Sequence, residues 1–202
     1  MKFQVICADP PWAFDDKLAR MKSPTRRGAA SQYSTLSLAD IAALKVQDLI
    51  NPAGCVLALW VPSTLLLDGI RVMQAWGFVP KSTVVWVKTS KKAQPIDPAT
   101  GDGLAFGMGR TFRAAHEIAL IGTAGKSVYP TMQDHSQRSV IMAPNMGHSQ
   151  KPDELQLRLE KMWPDAQRLE LFARRTLPNW TCVGDGIDGL DIRDAIHQLT
   201  TL

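Results

Sequence analysis

The chain has 202 residues, a net charge of +4 and three cysteines, which is enough for one sizeable core and points to a single domain over residues 1–202. No apolar stretch approaches the ~20 residues of a membrane span, and the amino-terminal run is too short for a signal peptide, so a cytoplasmic protein with no membrane partner is expected. Cys7, Cys55 and Cys182 lie far apart inside apolar runs, and His116, His135, His148 and His197 share no ligand spacing with them, which argues against a disulfide frame and against a metal site.

The first element is Phe3-Gln4-Val5-Ile6-Cys7-Ala8, a short apolar run that reads as a buried strand. It closes on Asp9-Pro10-Pro11-Trp12, and the carboxyl ends of buried strands are where open α/β sheets place their chemistry. These four residue types suit methyl transfer to the exocyclic amine of a nucleobase. That amine is a poor nucleophile because its lone pair is delocalised into the ring. Two acceptors aimed at its two hydrogens would localise the pair on nitrogen. An ionised Asp9 offers acceptors only, the Pro10 carbonyl offers another, and the prolines fix the backbone that aims it. Trp12 would add a stacking face for a base swung out of its helix. The plainer alternative is a strand-ending turn with a packed tryptophan.

Residues 13–33 are polar and aperiodic and contain Lys17, Arg20, Lys22, Arg26 and Arg27. They read as a long loop beside the site that either grips substrate or forms a lid, its clustered cations fitting phosphate contact, with Lys22, Arg26 and Arg27 as substrate contacts. Lys81, Lys88, Lys91 and Lys92 make a second basic group. Ser37-Leu38-Ala39-Asp40 has the form of a capping box and opens a helix running to Asn51-Pro52, with Leu38, Ile41, Ala42 and Leu49 on one face. Residues 54–61 form a second buried strand. A helix follows with Leu66, Ile70 and Met73 inward and Gly77 as its stop, and 78–88 hold a third strand. This alternation predicts an α/β fold, a mostly parallel sheet with helices on its faces.

Residues 89–113 form another long loop, in which Gly107-Met108-Gly109 is a weak signal for phosphate binding. Residues 116–122 read as a strand whose Glu117 either lines the base pocket or is a satisfied edge charge. Residues 124–149 read as irregular. Pro152 opens a helix that runs to Trp163-Pro164, with Leu155, Leu159 and Met162 inward. Strands at 168–173 and 180–184 and a helix at 190–200 complete the chain, with no internal repeat.

Several segments together resemble one family. They are Ala8-Asp9-Pro10-Pro11-Trp12, Leu57-Ala58-Leu59-Trp60-Val61, Trp76-Gly77-Phe78, Trp86-Val87-Lys88-Thr89, the run 116–122, Ser149-Gln150-Lys151-Pro152-Asp153-Glu154, Leu169-Glu170-Leu171-Phe172-Ala173-Arg174, and Asn179-Trp180 leading to Gly184-Asp185-Gly186. In this order they are similar to the Asp-Pro-Pro-Trp adenine-N6 methyltransferases, which include the catalytic subunit of the eukaryotic messenger-RNA N6-adenosine methyltransferase and bacterial and phage DNA-modifying relatives.

The resemblance implies a Rossmann-like class I methyltransferase fold in permuted order, with the catalytic motif first and the cofactor-binding strand last. It implies S-adenosylmethionine as cofactor and the N6 amine of adenine in nucleic acid as acceptor, DNA favoured over RNA. Asp9, Lys151, Glu170, Leu171, Phe172, Arg174, Asp185 and Gly186 would hold the cofactor, with Asp9 and Pro10 on the amine. Many relatives read Gly-Asn-Glu or Gly-Asn-Gln where this chain reads Gly184-Asp185-Gly186. The competing expectations are a cytosine-N4 methyltransferase and a non-catalytic, nucleic-acid-binding partner subunit. A homodimer or a methyltransferase-like partner chain fits either.

Overall fold

The computed structural model describes residues 1–13, 35–92, 94–107, 111–145 and 150–201. The expected opening strand is β1, Val5–Ala8, and every residue in it is buried. It sits near the middle of a seven-stranded sheet of order β5-β3-β4-β2-β1-β6-β7. The neighbours of β1 are β2, Cys55–Val61, and β6, Arg168–Leu171, both parallel to it. The strand β7, Thr181–Val183, extends the sheet in parallel beyond β6. On the other side, β4, His116–Ala124, runs against both β2 and β3, Val79–Thr89, while β5, Val140–Pro144, pairs in parallel with β3. The sheet is therefore mostly parallel, with β4 the one reversed strand.

Side chains alternate across a strand, and this divides the core in two. Ile6 and Ala8, with Leu57, Leu59, Leu169 and Leu171, face a layer made by α1, Leu38–Ala42, α2, Leu66–Ala75, and α5, Ile192–Thr201. Val5 and Cys7, with Val56, Ala58, Trp60 and Trp86, face α3, Glu154–Met162, through Leu155 and Leu159. Helices thus cover both faces. Each fully buried aliphatic or aromatic side chain contributes about 1.5–3 kcal/mol, so this double layer is the main source of stability.

Tryptophans fasten the layers. Trp76 donates its indole N–H to the Ile41 carbonyl at 2.8 Å, Trp86 to Ala143 at 3.0 Å and Trp163 to Val128 at 3.0 Å. Each bond satisfies the one polar atom of a large buried ring.

Two expectations need correction. The helix foreseen from Ser37 to Asn51 is broken. Ser37 does cap α1, accepting from the Asp40 N–H at 3.1 Å, but α1 has only five residues and a separate 3-10 turn spans Val46–Leu49. The break lets Leu44, Val46 and Leu49 all reach the core, whereas Leu38 stays exposed. The second correction is β5, which falls inside the stretch read as irregular. It is an edge strand with alternate residues buried, a pattern too short to stand out from its neighbours.

Candidate active site

Strand parity determines what meets at the carboxyl edge of the sheet. Asp9 follows Ala8, so its side chain falls on the α3 face, level with Trp60 of β2. Glu117 of β4 lies opposite Trp86 of β3, and Lys88 is two residues further on, so both point to that same face. Lys151 arrives from the segment leading into α3. The result is an alternating chain of charges. Lys151 Nζ donates to both Asp9 oxygens, at 2.9 and 2.8 Å, and lies 3.3 Å from Glu117 Oε2. The other Glu117 oxygen accepts from Lys88.

Aromatic rings floor this chain. Lys151 Nζ is 5.7 Å from the Trp60 ring centre and Lys88 Nζ is 4.8 Å from that of Trp86. The two indoles meet edge to face at 6.3 Å. Burial alone would push the Lys151 ammonium down, but the Asp9 and Glu117 carboxylates outweigh it and hold the pKa above the ordinary lysine value. Burial would likewise raise Glu117, yet Lys151 and Lys88 hold it below the ordinary range. Lys151 and Glu117 are thus favoured in their charged forms and hydrogen-bonded to their partners, which is what partly buried charges need.

Two cavities of about 300 and 310 Å³ open at this edge, and Asp9 lines both. They also share Phe172, Ala173 and Arg174, the turn that follows β6. Beyond this turn the first cavity reaches Asp185, Gly186 and Leu190, and the second reaches Lys151, Gln156 and Glu170. Phe172 takes a left-handed backbone, φ 63°, rare for a residue with a side chain. The turn is held from below by two glycines. A Cβ on Gly184 would lie 2.6 Å from the Ala173 N and O, and one on Gly186 would lie 2.7 Å from Arg174 Cα. At 186 a side chain has no room, because the backbone of Arg174 already fills the place of its Cβ.

Most of the expected residues are brought together here: Asp9, Lys151, Glu170, Phe172, Arg174, Asp185 and Gly186 all line one cavity or the other, as does Pro11. Four line neither cavity: Pro10, which is buried, and Trp12, Leu171 and Glu117. Trp12 offers no stacking face. It is 6% exposed, packs in the core with Val61 and Leu59, and donates its indole N–H to the Trp60 carbonyl at 2.9 Å. Leu171 is fully buried and lines neither cavity. Glu117 lines neither of them and is instead the middle carboxylate between two lysines. Lys22, Arg26 and Arg27 lie outside the described residues.

The Pro10 carbonyl accepts from the Trp12 N–H at 2.9 Å and the Pro11 carbonyl accepts from Leu36 at 3.1 Å. The first closes a tight turn around Pro11, and a carbonyl has two lone pairs, so Pro10 keeps one in a fixed direction. Sequence reading missed Lys88 as part of the site. Its signal was present in Trp86-Val87-Lys88, where the period of two puts an ammonium on the same face as a buried indole.

The MT-A70 family profile matches residues 3–186. The chain belongs to the MT-A70 family. The fold is accordingly the Rossmann-like methyltransferase fold expected from the sequence. Similar proteins include the N(6)-adenosine-methyltransferase MT-A70-like protein of Drosophila melanogaster, 30% identical over 197 residues, covering 96% of this chain and 28% of that protein. The N(6)-adenosine-methyltransferase catalytic subunit METTL3 of Homo sapiens is 29% identical over 199 residues, covering 96% of this chain and 30% of its own length. The Type II methyltransferase M.MunI of a Mycoplasma species is 27% identical over 192 residues, covering 89% of this chain and 75% of its own. The MT-A70 chain therefore spans under a third of the length of the first two relatives. Among the described residues no cluster of His, Cys, Asp and Glu could hold a metal ion, and no helix is long and apolar enough to cross a membrane.

Proposed function

We propose that this MT-A70 protein transfers the methyl group of S-adenosylmethionine to the N6 amine of adenine in nucleic acid, with DNA ahead of RNA. The observation that carries the reading is the position of Asp9, among the described residues the one carboxylate that lines both cavities at the carboxyl edge of β1. The preference for DNA rests on the resemblance to bacterial and phage relatives.

The cavities suit the cofactor by size and by donor set. Each is at the small end of ligand pockets, and they join around one turn. Lys151 and Arg174 offer cations to a carboxylate, Glu170 and Asp185 offer acceptors to hydroxyls, and Phe172 offers a ring edge. When bound, S-adenosylmethionine supplies an electrophilic methyl group on a sulfonium.

Asp9 orients and polarises the amine by accepting one of its hydrogens. To do so it exchanges one of its two contacts with Lys151, whose charge stays balanced by Glu117 3.3 Å away. The remaining lone pair of Pro10 accepts the second hydrogen. Holding the amine in line with the donor supplies much of the rate by orientation alone.

The test is incubation with labelled cofactor and matched single- and double-stranded DNA and RNA, read by nucleoside mass spectrometry. N6-methyladenine is the expected product. N4-methylcytosine would replace adenine by cytosine as the acceptor, and no product with any substrate would favour a non-catalytic subunit. Asp9→Asn is expected to lower turnover by about 10²–10³-fold, the usual cost of one preorganised polar contact. Its stability should fall by only about 1 kcal/mol, because Lys151 keeps Glu117 and an amide oxygen. Wild-type turnover in this variant would sink the role.

A further inference from the structure

Lys88 joins the charged chain to a second feature of the same edge. Its main chain continues pairing past the end of β4, with Lys88 N–H donating to Ala115 O at 2.8 Å and Ala105 N–H donating to Lys88 O at 2.7 Å. Gly107 N–H then donates to Ala114 O at 3.1 Å, so residues 105–107 meet residues 114–115 in a short ribbon just before β4. The ribbon carries two largely exposed phenylalanines: Phe106 is 79% exposed and Phe112 is 86% exposed. The Arg113 guanidinium lies 4.9 Å from the Phe106 ring centre.

Exposed rings of this size have an energetic cost in water, and a single one on a surface needs no explanation. Two on one ribbon, one of them against an arginine, with Lys91 and Lys92 exposed at the turn after β3, make a pattern of π faces among cations. That is the composition of surfaces that hold unpaired nucleotides, where bases stack on rings and cations follow the phosphates. The location fits as well. β4 is two strands from β1, a lateral separation of roughly 10 Å by strand spacing, so the ribbon overlooks the edge where Asp9 sits.

We propose that Phe106, with Arg113 against it and Phe112 beside it, is a stacking platform for an unpaired base a few nucleotides from the target adenine, so that the protein grips single-stranded nucleic acid on this side of the site. The inference rests on the reading of the site as one that acts on nucleic acid, and it adds strandedness and a contact surface to it. A nucleic-acid strand uses both components of this surface, the rings for its bases and the cations for its phosphates.

The platform is tested by anisotropy with labelled DNA and RNA oligonucleotides, single-stranded and duplex, carrying a central adenine. Loss of one stacked base is worth roughly fivefold to a hundredfold in affinity. Phe106→Ala is expected to weaken single-strand binding within that range, with Phe106→Trp restoring it and Phe106→Leu failing to. S-adenosylmethionine affinity by calorimetry should be the same in all of them, because the residue is exposed and lies outside both cavities. Unchanged single-strand affinity in Phe106→Ala overturns the platform while leaving the methyl-transfer reading intact. Loss of a dimer in sedimentation with unchanged affinity would assign the rings to a second protein chain instead. A wild-type protein that binds no oligonucleotide overturns the platform too, and the product assay then decides the methyl-transfer reading separately.

Discussion

Glu170 stands between two thiols, opposite Cys7 on β1 and Cys182 on β7, with the Gln156 amide 3.2 Å from each of its oxygens. Burial drives its pKa up from 4.5 to about 7; Gln156 and Cys7 oppose this with hydrogen bonds, and the Asp9 charge adds to it. A carboxyl raised in the folded state binds its proton more tightly there than when unfolded. Its contribution to stability is therefore fully present below pH 4.5 and is lost as pH rises through about 7. Chemical denaturation at pH 5 and pH 8 should show the wild type losing about 2 kcal/mol from this group relative to Glu170→Gln, an order-of-magnitude value from the shift. An identical pH profile in the two proteins would mean the carboxyl is not held protonated. The same group bears on ligand binding. If Glu170 accepts from two cofactor hydroxyls, one on each oxygen, its ionised form binds better, so S-adenosylmethionine should bind more tightly at pH 8 than at pH 6, and Glu170→Gln should abolish that difference.

At this scale the sequence told where Asp9 would stand but not what would stand beside it. A carboxylate after a buried strand and before two prolines has few places to go. Its partner Lys151 is 142 residues away, and no local period connects them. Trp12 shows the opposite failure. An aromatic residue at the end of a buried strand has the same local signature whether its ring faces a ligand or the core, and the carbonyl of Trp60 that accepts its N–H is known only once β1 and β2 are paired.

Among the elements, β2 and α2 were legible because a continuous apolar run and a helical period are strong local signals, whereas β5 was not. β5 is also the exposed edge of the sheet, with Val140 and Met142 facing outward at 45% and 58% exposure. The Val85 N–H donates to the Ser139 carbonyl on the β3 side, so the Arg138 and Val140 carbonyls point away from the sheet. Arg158 of α3 donates to both of them, to Val140 O at 2.9 Å. An unpaired strand edge invites pairing with another chain, and a charge placed against it prevents that. Arg158→Ala should cost under about 1 kcal/mol in unfolding free energy, since it removes hydrogen bonds from an exposed edge. Its effect should instead appear as concentration-dependent association in light scattering at a temperature where the wild type stays clear. A variant that scatters no more than wild type would show that the guanidinium is not what guards this edge.

In the whole molecule, the order of strands departs from the order of the chain at one place that matters. β1 begins the sequence, yet it is flanked by β2 and by β6, which lies beyond residue 167. Asp9 at its end therefore shares cavities with Phe172, Arg174 and Asp185, so the two ends of the matched region build one site. A ligand bound there contacts both, and it can bind only when the entire sheet is assembled. Ligand binding to the native state alone adds about 2.7 kcal/mol at a hundredfold excess over Kd. For a domain of this size that raises the midpoint by roughly 5–10 °C. We expect S-adenosylmethionine to raise a single cooperative transition by this amount, and amide exchange in β1, β6 and α3 to slow together. Two transitions with only one of them moving would show that the carboxyl-terminal strands fold apart from β1, and a site shared between them could not then be the one that holds the ligand.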